Sequence, residues 1–203
     1  MLNVTAAVTP KGERRRDALI SAAAELLCEG GFDAVRHRAV ARRAGLPLAS
    51  TTYYFSSLDD LIVQAVTHIG ARETRQLEQR VAAVARRRRG AETTADVLVD
   101  VLVGTASGIT ATEELISRYE RYIACARQPA LRDIQRQIRK QRTDAVVKVV
   151  ERSGRAVRPG LGSGVGGGVD GAVGAALVGD GDGPRATARS TLIDVIDVLA
   201  PYA

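Results

Sequence analysis

With 203 residues and 45% hydrophobic content, the chain is long enough for one large domain or two small ones around a packed core. A net charge of +6 favours an anionic partner, without separating nucleic acid from lipid. The only cysteines are Cys28 and Cys125 and the only histidines His37 and His68, which excludes a disulfide framework and leaves no metal-ligand spacing, so no metal and no cofactor are expected.

The first residues, MLNVTAAVTPKGERRR, place their basic side chains after a short apolar stretch, whereas a secretory signal places them before it. No apolar run approaches the roughly 20 residues that span a bilayer, so a cytoplasmic protein with no membrane partner is expected. Residues 1–12 carry no periodic pattern and read as a mobile arm. From Glu13 the apolar positions Leu19, Ala22, Ala23, Leu26 and Leu27 recur at helical spacing, and Gly30-Gly31 stop this first helix.

Residues 36–55, RHRAVARRAGLPLASTTYYF, are the stretch around which the chain is organised. A short helix buries Val40, Ala41 and Ala44 and turns Arg38, Arg42 and Arg43 outward. Gly45 breaks it, Pro47 suits a helix start, and Leu48 to Tyr54 form a second short helix. Two helices joined by a tight glycine turn place the second in a major groove of DNA. Duplex binding needs cations and hydroxyls toward phosphates and short side chains near base edges. Arg36, His37, Arg38, Leu48, Ala49, Ser50, Thr51, Tyr53 and Tyr54 supply them, with Leu48 or Ala49 suited to a thymine methyl. Phe55 fits a core position better than a contact.

Ser57 to Asp60 form a capping box that opens a fourth helix, with Leu58, Leu61, Ile62, Ala65, Val66, Ile69, Leu77 and Val84 on its buried side. The run Arg86 to Arg89 before Gly90 marks its expected end, giving a rod of about 45 Å. Those four arginines read either as a nucleic-acid patch or as cations at the negative helix end, the second being favoured. A fifth helix starts near Thr94 and carries Leu98, Val101, Leu102 and Ala106. Thr110 and Glu113 offer a capping box for a sixth, with Leu115, Ile116, Tyr119, Tyr122 and Ile123. Pro129 opens a seventh that runs to Gly154 through Leu131, Ile134, Ile138, Ala145, Val146 and Val149.

Residues 154–183 are glycine-rich and by composition a linker, yet Val165, Val169, Val173, Ala176 and Leu177 keep helical spacing. Glycines 166, 167, 168, 171 and 174 would cost such a helix about 4–5 kcal/mol relative to alanine, so packing must form it. The eighth helix is therefore expected to lie wedged against its neighbours or against a second subunit. Leu192, Ile193, Ile196 and Leu199 carry a ninth helix to Pro201, and the fold class is all-α with about nine helices.

The segments GERRRDALISAAAELLCEGGFDAV, AVARRAGLPLASTTYYF and SSLDDLIVQAV resemble the DNA-binding domain of the TetR family of repressors, closely over residues 13–66. The resemblance implies a helix-turn-helix domain over 13–57 and a helical regulatory and dimerisation domain over 58–203. It implies double-stranded DNA, a second copy of the chain and an unknown small-molecule effector as partners, with nucleoid association when DNA is bound. Its last two helices would dimerise, which points to Val169, Val173, Leu177, Leu192, Ile196 and Leu199. Tyr119, Tyr122 and Cys125, with Leu98 and Leu102, are candidates to line the effector pocket, although core packing explains them as well. The sequence departs from the family at Arg36, Pro47, Thr52 and Leu58, so its contacts do not transfer intact.

Two rival functions stand beside this one. A helical module could use its basic surface on protein or membrane without an operator. The glycines 162, 164 and 167 match a dinucleotide fingerprint in form, but no strand precedes them, so an enzyme is not expected. The few aromatics beyond residue 66 argue against a flat aromatic cation as effector.

Overall fold

The computed structural model describes residues 9–106 and 109–203, without the side chains of 109 and 110. Among the described residues nine helices form and no strand does: α1 (Pro10–Ala34), α2 (His37–Arg43), α3 (Leu48–Tyr54), α4 (Leu58–Ala83), α5 (Ala91–Leu102), α6 (Ile109–Arg127), α7 (Pro129–Arg152), α8 (Leu161–Val178) and α9 (Pro184–Leu199). Two compact units divide between Ile69 and Gly70, inside α4 rather than ahead of it.

In the first unit α1 packs on α2 and α2 on α3. The helix begins earlier than its periodicity indicated, because Thr9 caps it through an N–H···O bond from Gly12 (3.2 Å) and Pro10 fills the first turn. Residues 10–12 are thus helix and not arm; residues 1–8 lie outside the described residues. The helix kinks at Gly30-Gly31 rather than ending there. Gly45 takes φ +64°, the left-handed conformation that turns the chain sharply between α2 and α3. The box at Ser57 forms: its Oγ accepts the Asp60 N–H at 3.0 Å, and Asp60 returns a carboxylate oxygen to the Ser56 N–H and Oγ.

The second unit buries Leu77, Val81, Leu98, Leu102, Val146, Val149, Val165, Val169, Val173, Leu192 and Ile196 in one core. Here α8 packs against α7, α9, α5 and α6, and α9 against α5. At Gly162 α8 comes so close to α7 that an added Cβ would lie 2.7 Å from the Thr143 carbonyl oxygen. Residues 161–178 are therefore a helix rather than a linker, but only Gly162 is wedged: the glycines at 166, 167, 168, 171 and 174 face open space within the chain.

Two expected helix ends shift. The fourth helix stops at Ala83, about 39 Å long, and the arginine run beyond it is extended, with Arg87 and Arg89 N–H groups bonded to the Arg152 and Ser153 carbonyls. The cation that serves the end of α4 is Arg152, whose Nη1 donates to the carbonyls of Val81, Ala82 and Val84 at 2.8–3.1 Å. The fifth helix ends at Leu102, leaving Ala106 exposed outside it. The side chain of Thr110, the expected cap of α6, lies outside the described residues.

Candidate nucleic-acid interface and effector cavities

The short α3 is held by its inner side. Phe55 is buried under Arg16, whose guanidinium lies 5.5 Å from the ring centroid, and Thr51, one turn earlier, is fully buried with its hydroxyl donating to the Leu48 carbonyl at 2.8 Å. Thr51 is therefore not available to DNA, contrary to the sequence reading. The outward side presents Leu48 (46% exposed), Ala49, Thr52 and Tyr53 (80% exposed). Thr52, a hydroxyl of the same helix that is absent from the expected contacts, is exposed where Thr51 is not. The spacing held the signal: Thr51 and Phe55 are four apart, so a buried Phe55 takes Thr51 inward and turns Thr52 out. Ser50 and Tyr54 are half-buried, and the Tyr54 ring meets Tyr53 edge-on with centroids 4.8 Å apart.

Around this face stand the cations of α2. Arg36 and Arg38 are exposed, and Arg36 holds Asp33 at 3.2 Å in a solvent-exposed pair that a phosphate could replace at little cost. Among the described residues Arg36, at the N-cap of α2, makes no capping bond through its side chain. His37 is half-buried with Nδ1 turned inward and unpartnered among the described residues. Arg43 faces the protein instead: its two Nη atoms grip the two Glu29 carboxylate oxygens at 2.8 and 2.7 Å, and Nη1 also reaches Glu25. That grip raises the Arg43 pKa and lowers that of Glu29.

In the second unit the five residues expected around an effector separate. Leu98 and Cys125 are fully buried in the packing, and burial pushes the Cys125 thiol up. Tyr119 and Tyr122 line a cavity of about 190 Å³ between α6, α7 and α8, where Tyr119 donates to Asp170 at 3.1 Å and burial raises its phenol pKa. Leu102 lines a smaller polar cavity between α4, α5, α6 and α7, whose wall includes Glu73, Thr74, Arg80, Arg118, Gln141 and Arg142. Sequence gave no sign of these arginines as lining, since arginine on a helix reads as a solvent-facing residue.

The end of α5 draws three of them together. Arg80 donates to the Val101 carbonyl at 3.3 Å, and Arg118 and Arg142 donate to the Leu102 carbonyl at 3.3 and 3.1 Å. Arg142 also pairs with Asp170 at 2.9 Å, and the buried Arg121 pairs with Glu73 at 2.5 Å.

Four of the six residues expected at a dimer surface are instead core: Val169, Val173, Leu192 and Ile196 are at most 1% exposed. Leu177 is partly buried against that core, and Leu199 is 36% exposed. Helical spacing marks an apolar face without saying which neighbour it meets, and here the neighbour is the chain itself. The open side of α8 carries Gly164, Gly168, Gly171, Ala175 and Val178 at alternating steps of four and three. Contrary to the sequence expectation, α8 is long and apolar enough by length and composition to cross a membrane, at 18 residues and mean hydropathy 1.3. Its Val165, Val169 and Val173 are committed to the core and its Asp170 to Arg142. No group of three or more His, Cys, Asp or Glu able to hold a metal occurs among the described residues.

Comparison with known proteins follows these units. Residues 19–65 match the description "Bacterial regulatory proteins, tetR family", and residues 89–198 match "Tetracyclin repressor-like, C-terminal domain". No curated protein matches the sequence. Among solved structures, the fold is similar to that of the transcriptional regulator SCO7518 from Streptomyces coelicolor A3(2), at 22% identity over 92% of this chain and 98% of that one, with a TM-score of 0.69. The multidrug binding protein EbrR, complexed with imidazole, is 26% identical over 93% of this chain and 96% of its own, with a TM-score of 0.67. SCO1917 from Streptomyces coelicolor A3, described as a member of the TetR family, is 27% identical over 92% and 98%, with a TM-score of 0.63.

Proposed function

Because the chain belongs to the tetR family of bacterial regulatory proteins, and is thus a ligand-responsive DNA-binding transcriptional regulator and not an enzyme, we propose that it acts as a homodimeric repressor on a pseudo-palindromic operator. Its two α3 helices enter successive major grooves about 34–36 Å apart. The observation that carries this reading is the outward face of α3. Leu48, Ala49, Thr52 and Tyr53 are exposed on a helix too short to be held by anything but its buried side.

On that face no cation is present, so base discrimination rests on methyl contacts, hydroxyls and DNA shape more than on arginine–guanine pairs. Arg36, Arg38 and the Tyr53 hydroxyl supply phosphate contacts, with His37, Ser50 and Tyr54 at the edge of the contact surface. Thr52 joins them, and Thr51 acts only from inside.

Dimerisation uses the open side of α8 with the exposed side of α9. Small residues at Gly164, Gly168, Gly171 and Ala175 let a second backbone come close, and Val178 and Val198, 90% and 74% exposed, add apolar area at the ends. Such a face also accounts for a glycine-rich helix that its own chain leaves half uncovered.

EbrR has been crystallised with malachite green, proflavin and ethidium, which supports a small organic molecule as the class of effector. Binding in the second unit favours one of two dimer conformations, and only that differential affinity is needed to release DNA. The protein acts in the cytoplasm, on the nucleoid when bound.

Footprinting on DNA upstream of the chain's own gene tests the proposal. Two protected half-sites centred one helical turn apart, or a multiple of it, are expected; a single protected patch, or none, contradicts the two-headed reading.

A further inference from the structure

The polar cavity at the end of α5 carries more positive charge than the fold explains. Its wall and the groups paired with that wall hold four guanidiniums, Arg80, Arg118, Arg121 and Arg142, against two carboxylates, Glu73 and Asp170. Both carboxylates are already taken, by Arg121 and Arg142. Among the described residues neither Arg80 nor Arg118 has an ion-pair partner; each holds only a carbonyl at the end of α5. A helix C-terminus offers about half a negative charge, which does not balance two half-buried arginines. Burial, then the charge of Arg142, lowers the Arg118 pKa, and the Glu73 carboxylate offsets only part of this.

The space is small and specific. The cavity measures about 30 Å³, room for about two waters and so for a carboxylate group. It shares Thr74, Leu77 and Gln141 with an adjoining groove of about 340 Å³ between α4 and α7. That groove is floored by Leu77, Val81 and Ala145, with Asp144 and Arg152 half-buried along its walls and Ala82, Glu78 and Lys148 exposed at its edge. Two of the shared residues are joined by a hydrogen bond, from the Thr74 hydroxyl to the Gln141 Oε1. Each arginine keeps N–H groups beyond those given to α5, so an anion can be held without stripping the helix end.

We propose that this cavity is the anion subsite of the effector pocket, and that the effector is a small organic acid. Its carboxylate lies among Arg80, Arg118 and Arg142, and its apolar body runs past Thr74 and Gln141 along the α4–α7 groove. The assignment of this site as the regulatory one rests on the ligand-responsive reading above; the binding chemistry does not. A cationic ligand of the same length is rejected by the same charges.

Thermal melts of the full chain test it, using monocarboxylates from acetate to decanoate, with octylamine, octanol and inorganic phosphate as the other arms. Saturable stabilisation that grows with carboxylate chain length, absent with octylamine and octanol, is expected. In folded Arg118→Gln and Arg80→Gln the octanoate affinity falls at least about tenfold, while Arg118→Lys keeps part of it. Stabilisation by phosphate equal to that by octanoate overturns the organic-acid assignment in favour of a free inorganic anion. The proposal also falls if no carboxylate stabilises the chain, if octylamine or octanol does so equally, or if folded Arg118→Gln and Arg80→Gln both bind octanoate like the parent. A parallel titration on DNA from upstream of its gene separates the two layers: octanoate that binds without weakening the DNA complex removes the regulatory role of the site and leaves the anion site standing.

Discussion

Arg43 of α2 holds Glu29 of α1 in a two-pronged grip, Nη1 to Oε1 at 2.8 Å and Nη2 to Oε2 at 2.7 Å. Such fork-to-fork geometry fixes direction as well as distance. It ties α2 to α1 two residues before Gly45, where the chain turns into α3.

Replacing Arg43 with Lys should therefore loosen the first unit although the charge is kept, because a point charge cannot replace the planar fork. The pair is solvent-exposed, so the loss in melting temperature should be small and should shrink further at high salt. The Glu29 pKa is lowered by this contact, so its contribution is full above the ordinary carboxylate range and disappears as pH falls through the depressed value. Melts of parent and variant from pH 7 down to pH 3 should converge at the acid end; a constant gap would show that the carboxylate is not the partner that matters.

Tyr53 and Thr51 should separate contact from support. Tyr53→Phe removes a hydroxyl from a side chain 80% exposed, so operator affinity should fall roughly two- to tenfold, one hydrogen bond of about 0.5–1.5 kcal/mol, with an unchanged melting temperature. Thr51→Val removes a buried hydroxyl bonded to the Leu48 carbonyl and should lower stability by about 1 kcal/mol instead. Equal DNA affinity for Tyr53→Phe and parent would show that its hydroxyl meets no phosphate.

Two glycines of α8 should respond in opposite ways. At Gly171 nothing lies within 4 Å of an added Cβ, so Gly171→Leu should leave the fold intact or stabilise it by up to about 1 kcal/mol of helix propensity while breaking the dimer. At Gly162 the Thr143 backbone stands 2.7 Å from that Cβ, so Gly162→Ala should destabilise the unit by about 1–3 kcal/mol. Light scattering together with thermal melts reads both; a Gly171→Leu variant that stays dimeric places the interface elsewhere.

Arg152 closes the end of α4 with bonds to three carbonyls. Its replacement by Ala should cost about 1–3 kcal/mol and raise amide exchange in the last turn of α4, without altering exchange in α2 or α3. Exchange that rises equally in all helices would show a global loss rather than a lost cap.

Much of this fold was legible because local chemistry decided it. Gly45 needs its positive φ, Pro129 opens α7, and Ser57 caps α4, each from residues adjacent in sequence. What escaped was decided at a distance. The arginine run 86–89 looked like a helix end because the true cation, Arg152, comes from about seventy residues downstream. Val169, Val173, Leu192 and Ile196 looked like an interface because an apolar stripe does not name its neighbour. The arginines around Leu102 are invisible to any pattern, since only folding brings α4, α6 and α7 to the end of α5.

Residues 36–55 are proposed to read DNA sequence and not merely to adhere to polyanions, a distinction drawn by titrating the full chain onto DNA from upstream of its own gene and onto random duplex of the same length, at several salt concentrations. The upstream fragment should bind at least about 10³-fold more tightly at moderate salt, with both affinities falling as salt rises. Equal affinity for the two duplexes at moderate salt would show that the protein does not read sequence.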